Sequence, residues 1–391
     1  MRATGRLLAR FTVAAITVAT IIGGCDLSNS TPAPLPTPSP SVEVVTSGSS
    51  AKQLEGSLDA LIEAAQGEGS LTVMGLAQSR CGFGDIIETF EGTYGLTVNE
   101  LDPNGSVADH LQAIKDTSDG GSDAPDVVDL PVAAADEAAH LEQLAPYRVS
   151  TWDSIPSGFR HPDGVWTGAY YGVPSFETNT SRVRAAPRTW ASLLDPEYSH
   201  MIALAGDPRA AGPGSLAVYA AALANGGSLG DAGNGLEFFK RLDLAGNLVA
   251  QVATAETIDD GRTPVTIRLT YDSLKHRDRT AGNPDIEVTV PVSGRLAVAN
   301  AQAILASAPH PNAARLWMEF LYSDLGQNLL LDGYCHPVRF DDLSTRGIIP
   351  VETLAKLPET SPVDVPTVAQ LLNATDLIGA NWDRVVGVDI R

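Results

Sequence analysis

From residue 54 onward the apolar positions alternate between a helical and a strand period. Leu54, Leu58, Leu61, Ile62 and Ala65 share one helical face, and Gly67 and Gly69 stop the run. Leu71–Leu76 reads as a buried strand, followed by a loop, Ala77–Gly84. Asp85 is the expected cap of a helix whose apolar face is Ile86, Ile87, Phe90 and Tyr94, with Gly95 as its stop. A strand over Leu96–Leu101, a turn at Asp102–Ser106, a helix with Val107, Leu111 and Ile114, and a strand over Asp126–Leu130 follow. Such strand–helix alternation predicts an α/β fold built on a parallel sheet with helices on both faces. Ligands of such sheets bind beyond the carboxyl ends of the strands, which places Ala77–Gly84 and Asp102–Ser106 at a binding edge.

The first residues obey a different rule. Arg2, Arg6 and Arg10 precede an apolar run, Phe11–Ile22, that is too short to span a bilayer, and Ile22-Gly23-Gly24-Cys25 follows. Residues 1–24 read as a secretory signal, and the residues around Cys25 resemble a bacterial lipobox, in which the thiol receives a lipid. Residues 25–51 then form a linker. Its Pro-, Ser- and Thr-rich part, Asn29–Ser50, is too poor in large apolar groups to bury a core. The expected product is a body tethered to the outer face of a bacterial cytoplasmic membrane, with a chance cysteine after an ordinary signal as the bland alternative.

Charge narrows the partners. The chain carries −21, and removal of residues 1–24, which hold three Arg and no acid, takes it to −24. So acidic a body is a poor partner for nucleic acid. Of the three cysteines, Cys81 and Cys335 lie in the folded part; they are either a disulfide pair or two free thiols. There is no C-x-x-C, H-E-x-x-H, G-x-S-x-G or phosphate-loop motif, and the seven histidines are scattered. No cofactor, resident metal or enzymatic activity is indicated. His161, His310 and His336 each precede a proline and read as loop or helix-start residues, and Thr189 reads as a cap beside a packed Trp190, Leu193 and Leu194.

Several segments, in order, resemble a known family. They include Tyr94–Leu101 with Asn104-Gly105-Ser106, Gly168–Pro174 continuing to Glu177 and Asn179, and Pro187–Tyr198. Ala203–Ala210 leading into Val218–Gly227, Ala308–Asp324 with Gly326-Gln327-Asn328, and Gly333–Arg339 complete the pattern. Together they resemble the extracellular solute-binding lipoproteins of bacterial ABC importers, of the spermidine/putrescine type. The resemblance implies a periplasmic-binding-protein type II clamshell: two α/β lobes joined by crossing hinge strands, with ligand in the cleft. It implies crossings at Tyr171–Asn179, at Glu287–Gly294 and near Gly326–Gly333. Lobe one would hold residues 52–172 and 291–327, and lobe two residues 178–288 and 333–391.

The implied function is capture of a small solute, polyamine-like, for delivery to membrane permease subunits by a monomeric receptor. Alternatives are a ferric ion, an organic anion or a phosphonate, and an envelope receptor without a transport role. The candidate ligand-binding residues are Ser79, Arg80, Cys81, Phe83, Asn104, Gly105, Ser106, Tyr170, Tyr271 and Asp272. Relatives often carry Trp in the first loop, where this chain has Cys81, and a Trp-Asp-Tyr run where it has Leu269-Thr270-Tyr271. The adjacent Tyr170 and Tyr171 are similar to the phenolate pair of ferric-ion binders but precede the first crossing, where a lining or packing role is expected. Asn104-Gly105-Ser106 is a tight turn whose amides and Ser106 hydroxyl are expected to meet ligand.

Overall fold

A computed structural model describes residues 58–118 and 124–391. The expected signal peptide, Cys25 and the linker lie outside the described residues, as do the first positions of the expected first lobe. In chain order the first part comprises α1 (Leu58–Glu68), β1 (Ser70–Met74), α2 (Phe83–Tyr94), β2 (Thr97–Leu101), α3 (Val107–Asp116), β3 (Val127–Pro131), α4 (Val132–His140), β4 (Leu144–Ala145) and β5 (Thr167–Gly172). The middle comprises β6 (Pro174–Asn179), β7 (Ile202–Leu204), α5 (Pro213–Ala224), α6 (Gly233–Leu244), β8 (Leu248–Val252), α7 (Ala255–Asp259), β9 (Val265–Leu269), α8 (Thr270–Thr280) and β10 (Ile286–Thr289). The chain ends with β11 (Val298–Leu305), α9 (Pro311–Leu321), α10 (Asp324–Asp332), β12 (His336–Pro337), α11 (Phe340–Thr345), α12 (Val351–Leu354) and α13 (Val368–Val385).

These strands form two sheets. The larger runs β12-β5-β11-β3-β1-β2 with β4 on β11, and the smaller runs β10-β6-β9-β7-β8. This is the expected α/β architecture, with one correction to the sheet. β1, β2 and β3 are parallel, as the alternation predicts, but β11 runs antiparallel between β3 and β5, and β12 is antiparallel to β5. The cause is the connectivity: β11 re-enters the larger sheet from the smaller one, so its direction is not set by a helical crossover.

Only Val173 separates β5 of the larger sheet from β6 of the smaller, and residues 290–297 lead from β10 back to β11. The later connection differs from expectation. α10 packs on α2 and α9, β12 pairs with β5, and Leu331, Leu343 and Ile349 form a small cluster beside them. Residues 333–354 therefore stay with the larger sheet. The chain passes over only beyond them, where Asp364 bridges Leu296, before α13 packs on α5 and α6.

Each sheet has its own aromatic centre. Phe90 meets Trp317 and Phe320 edge-on or tilted at 5.2 and 5.5 Å between centroids, beneath the larger sheet. Trp190 joins Phe176 to Phe238 at 5.2 and 5.7 Å beside the smaller one, and Phe239 leads on to Trp382 of α13. Edge-to-face aromatic contacts of this kind add about 0.5–1.5 kcal/mol each beyond their area burial. Thr189 and Ser192 cap each other beside buried Trp190, as the sequence suggests. Among the described residues no helix is long and apolar enough to cross a membrane.

Candidate functional site

A cleft of about 210 Å³ lies where the two sheets face each other. The larger sheet contributes Ser79, Arg80 and Cys81 from the loop after β1, and Gly333 from the end of α10. The smaller contributes Ala255, Arg268 at the end of β9, and Tyr271, Asp272, Lys275, His276 and Arg279 along α8. Positions 272, 275, 276 and 279 recur at the spacing that puts residues on one helical face, which is why one helix supplies most of this wall.

The first-loop wall is rigidly built. Cys81 and Gly82 are both left-handed, with φ of 53° and 72°, so the chain turns sharply into α2. Cys81 and Cys335 are joined in a disulfide. Gly333 packs so closely that a Cβ there would meet the Cys81 carbonyl carbon at 2.2 Å. Arg80 donates from Nη2 to the Gly75 carbonyl at 2.8 Å. The hydroxyl of Tyr170, then Asp129, Tyr271 and Asp272, raise its pKa further against the opposing effect of burial.

Behind Arg80 lies a buried carboxylate. Asp129 accepts hydrogen bonds from the Tyr170 hydroxyl at 3.1 Å, Asn300 at 2.7 Å and Gln302 at 2.6 Å, and Trp317 donates to Gln302 at 3.2 Å. Burial pushes the Asp129 pKa up, with Arg80 opposing. Tyr170 is thus committed to Asp129 and fully buried, with its pKa raised well above the ordinary value by burial. Its ring contacts Phe83 at 5.8 Å and Tyr271 at 6.2 Å.

Arg268 is positioned from the opposite sheet. Its Nη1 donates to Glu177 of β6 at 3.2 Å; Glu177 is fully buried and also binds His276 Nδ1. His276 Nε2 stands 2.9 Å from Asp259 Oδ1, within ion-pair range although not aligned as a hydrogen bond. Among the described residues nothing accepts a hydrogen bond from the buried Nε of Arg80 or of Arg268. Burial raises the Asp272 pKa, with Arg268 and Arg80 opposing, and burial lowers that of Lys275. Tyr271 is likewise pushed up by burial and then by Asp272.

Of the residues expected at the site, Ser79, Arg80, Cys81, Tyr271 and Asp272 line the cleft. Phe83 and Tyr170 do not; both are buried behind the wall. Tyr171 is also a packing residue, stacked on Phe159 at 5.2 Å and on His336 at 5.4 Å. Asn104, Gly105 and Ser106 lie off the cleft, because Ser106 spends its hydroxyl on a capping box with Asp109 at the start of α3. Asp85 is not the cap of α2 either; it sits in the first turn, and Gly82 holds the cap position. Arg268, Lys275, His276, Arg279 and the supporting Glu177 join the site although none is among the expected ligand residues.

One serine–histidine–aspartate arrangement lies away from the cleft. Ser70 Oγ is 3.3 Å from His310 Nε2, and His310 Nδ1 is 2.9 Å from Asp126. Asp126 also accepts the backbone N–H of Thr72 at 2.7 Å and of His310 at 2.6 Å. The Glu68 carboxylate occupies the N–H groups of Asn312 and Ala313 at the start of α9. The three side chains tie the start of β1 to the residues that lead into β3 and α9.

Residues 122–373 match the model of the family of bacterial extracellular solute-binding proteins, and the chain belongs to that family. Its members are non-enzymatic carriers that bind small ligands outside the cytoplasm and deliver them to ABC permeases. The fold is that of solved periplasmic binding proteins. The apo ferric ion-binding protein A of Pasteurella haemolytica aligns with TM-score 0.63 at 16% identity, over 82% of this chain and 99% of that one. A Bordetella ferric binding protein gives 0.61 at 18%, over 82% and 99%. The periplasmic binding protein AfuA of Actinobacillus pleuropneumoniae, with fructose-6-phosphate bound, gives 0.58 at 18%, over 82% and 99%. No curated protein matches by sequence.

Proposed function

We propose that this chain is the receptor of an ABC importer for a small anionic solute, held between the first loop and α8. The observation that carries this reading is the convergence of Arg80 and Arg268 from opposite sheets, each with a buried Nε–H that has no acceptor among the described residues. A buried donor left unpaired costs about 1–3 kcal/mol, and an oxyanion between the two guanidinium groups would satisfy both. Lys275 adds positive charge, Arg279 adds charge that Asp259 at 3.8 Å partly offsets, Asp272 is the one carboxylate among the lining residues, and the N-terminus of α8 adds its own preference for anions. The bound fructose-6-phosphate of AfuA shows that the fold accommodates a phosphate ester.

The cleft does not favour the polyamine class, since Arg80, Arg268, Lys275 and Arg279 line it and the carboxylates Glu177 and Asp259 are already paired with Arg268 and Arg279, which leaves Asp272 as the lining carboxylate for a polyammonium chain. A ferric ion is the second reading, favoured by the ferric-binding proteins of similar fold. Tyr271 and Asp272 would be its oxygen donors. Against it, Arg80 stands beside them, Tyr170 is engaged by Asp129, and among the described residues no three His, Cys, Asp or Glu are grouped to hold a metal.

A thermal-shift panel tests the proposal: phosphate, sulfate, phosphonates, sugar phosphates and carboxylates against spermidine, putrescine and ferric citrate. Ligand at a hundred times its Kd stabilises by about 2.7 kcal/mol, enough to raise the melting temperature by several degrees. The expected result is a rise with one or more anions and none with polyamines. A rise with spermidine or putrescine and with no anion would refute the reading.

A further inference from the structure

Residues 333–337 belong to the larger sheet through the disulfide of Cys335 to Cys81 and the pairing of β12 with β5. Yet Tyr334, one residue before Cys335, reaches across the cleft mouth. Its hydroxyl donates to Asp278 of α8, and the Arg277 guanidinium lies 5.8 Å from its ring centroid. Arg277 Nε in turn donates to Asp278 at 2.8 Å, so the three side chains form one cluster. The backbone is set for this contact at a cost: Tyr334 has φ of 70°, a region that side-chain-bearing residues seldom occupy. The position is held from both sides. Cys335 is covalently fixed to the first loop, and Gly333 is wedged against Cys81 and Gly82 with no room for a Cβ.

We propose that Tyr334 is a latch, a positioning residue that holds the two lobes closed over the ligand. It is anchored to one lobe by the Cys81–Cys335 disulfide and grips α8 of the other through Asp278 and Arg277. This rests on the reading of the cleft as the solute site. It adds that closure is stabilised by a contact that touches no solute. A latch of this kind shifts the open–closed equilibrium only as far as it favours the closed form. Loss of the hydroxyl removes the bond to Asp278 and keeps the ring over Arg277, whereas loss of the whole side chain removes both.

The test uses the full chain carrying Cys25→Ser, with spin labels at Glu88→Cys on α2 and Leu244→Cys on α6. Both positions are exposed, on opposite lobes. Electron–electron distance measurements are made without added solute, so the result does not depend on the anion assignment. Tyr334→Ala and Asp278→Ala should each enlarge a long-distance component at least several-fold, and Tyr334→Phe should do so to a smaller extent. Circular dichroism of each variant checks the fold, and Tyr334→Phe and Asp278→Ala carry the test if Tyr334→Ala does not fold. Distance distributions that superimpose on the parent in the folded variants would overturn the latch. If the distances shift while no anion stabilises the chain, the latch stands and the anion reading fails.

Discussion

Arg268→Gln separates the two duties of Arg268, anchoring Glu177 and facing solute. On the solute side it deletes a charge-assisted donor. Such bonds contribute about 1.5–3 kcal/mol each, so loss of one should weaken the Kd of the tightest anion roughly 10- to 150-fold. On the protein side it removes the 3.2 Å bond to fully buried Glu177, while the Arg268 side chain itself keeps 18% exposure. Breaking a buried pair costs about 3–5 kcal/mol, but Glu177 retains His276, so a loss of about 1–3 kcal/mol is expected. Isothermal titration calorimetry reads the first effect and urea unfolding the second. Adding Glu177→Gln should restore much of the stability, because no unpaired carboxylate remains, and should leave the affinity low. Anion affinity unchanged in Arg268→Gln, or recovered in the double variant, would refute the assignment of Arg268 to the solute.

Three further outcomes follow from other parts of the chain. His336 is buried against Tyr171 and Phe340, which lowers its pKa from 6.5 to about 4. The folded protein therefore binds this proton less readily than the unfolded chain, so the contribution is complete above pH 6.5 and falls away as pH drops toward 4. It amounts to ~3 kcal/mol, and wild type minus His336→Gln in unfolding free energy should show that slope; a difference independent of pH would contradict it. Gly333→Ala should destabilise by about 1–3 kcal/mol through overpacking, since the added methyl meets main chain of Cys81 and Gly82 at 2.2–2.3 Å; unchanged urea unfolding would show that the contact relaxes freely. If Cys25 carries a lipid, metabolic labelling with a fatty acid should mark the wild type and not Cys25→Ser, with unchanged solute affinity in the variant, as expected of a tether; an unlabelled wild type would rule out a lipid on Cys25.

Much of the fold was legible because its period signals were undisturbed. Leu71–Leu76 and Asp126–Leu130 alternate with helices whose apolar faces are continuous, and these became β1 and β3 within a residue or two, while α2 starts at Phe83, ahead of its expected cap Asp85. The direction of β11 was not legible, because strand polarity in a sheet depends on where the chain re-enters it. Nor was the attachment of residues 333–354 to the larger sheet, which rests on packing of α10 and on a disulfide between positions 254 apart. The first-loop half of the cleft could be placed from the strand-end rule, and Ser79, Arg80 and Cys81 line it. The same rule misplaced Asn104–Ser106, since a serine before a helix is as good a cap as a ligand, and here Asp109 completes the cap. The α8 wall carries a signal that is readable in the sequence. Asp272, Lys275, His276 and Arg279 share one face of a helix that starts immediately after a strand, at the sheet edge where ligands bind. Glu177 gave no comparable sign, because its importance comes from burial beneath Arg268 rather than from any pattern around it.

Whether the two lobes converge on a negatively charged solute is decided by a crystal structure grown in the presence of the best-stabilising anion. Density for one anion is expected between Arg80 and Arg268, near the N-terminus of α8, within hydrogen-bond reach of both guanidinium groups. A cleft in which that anion is absent, or in which a cation is instead bound by Tyr271 and Asp272, would contradict it.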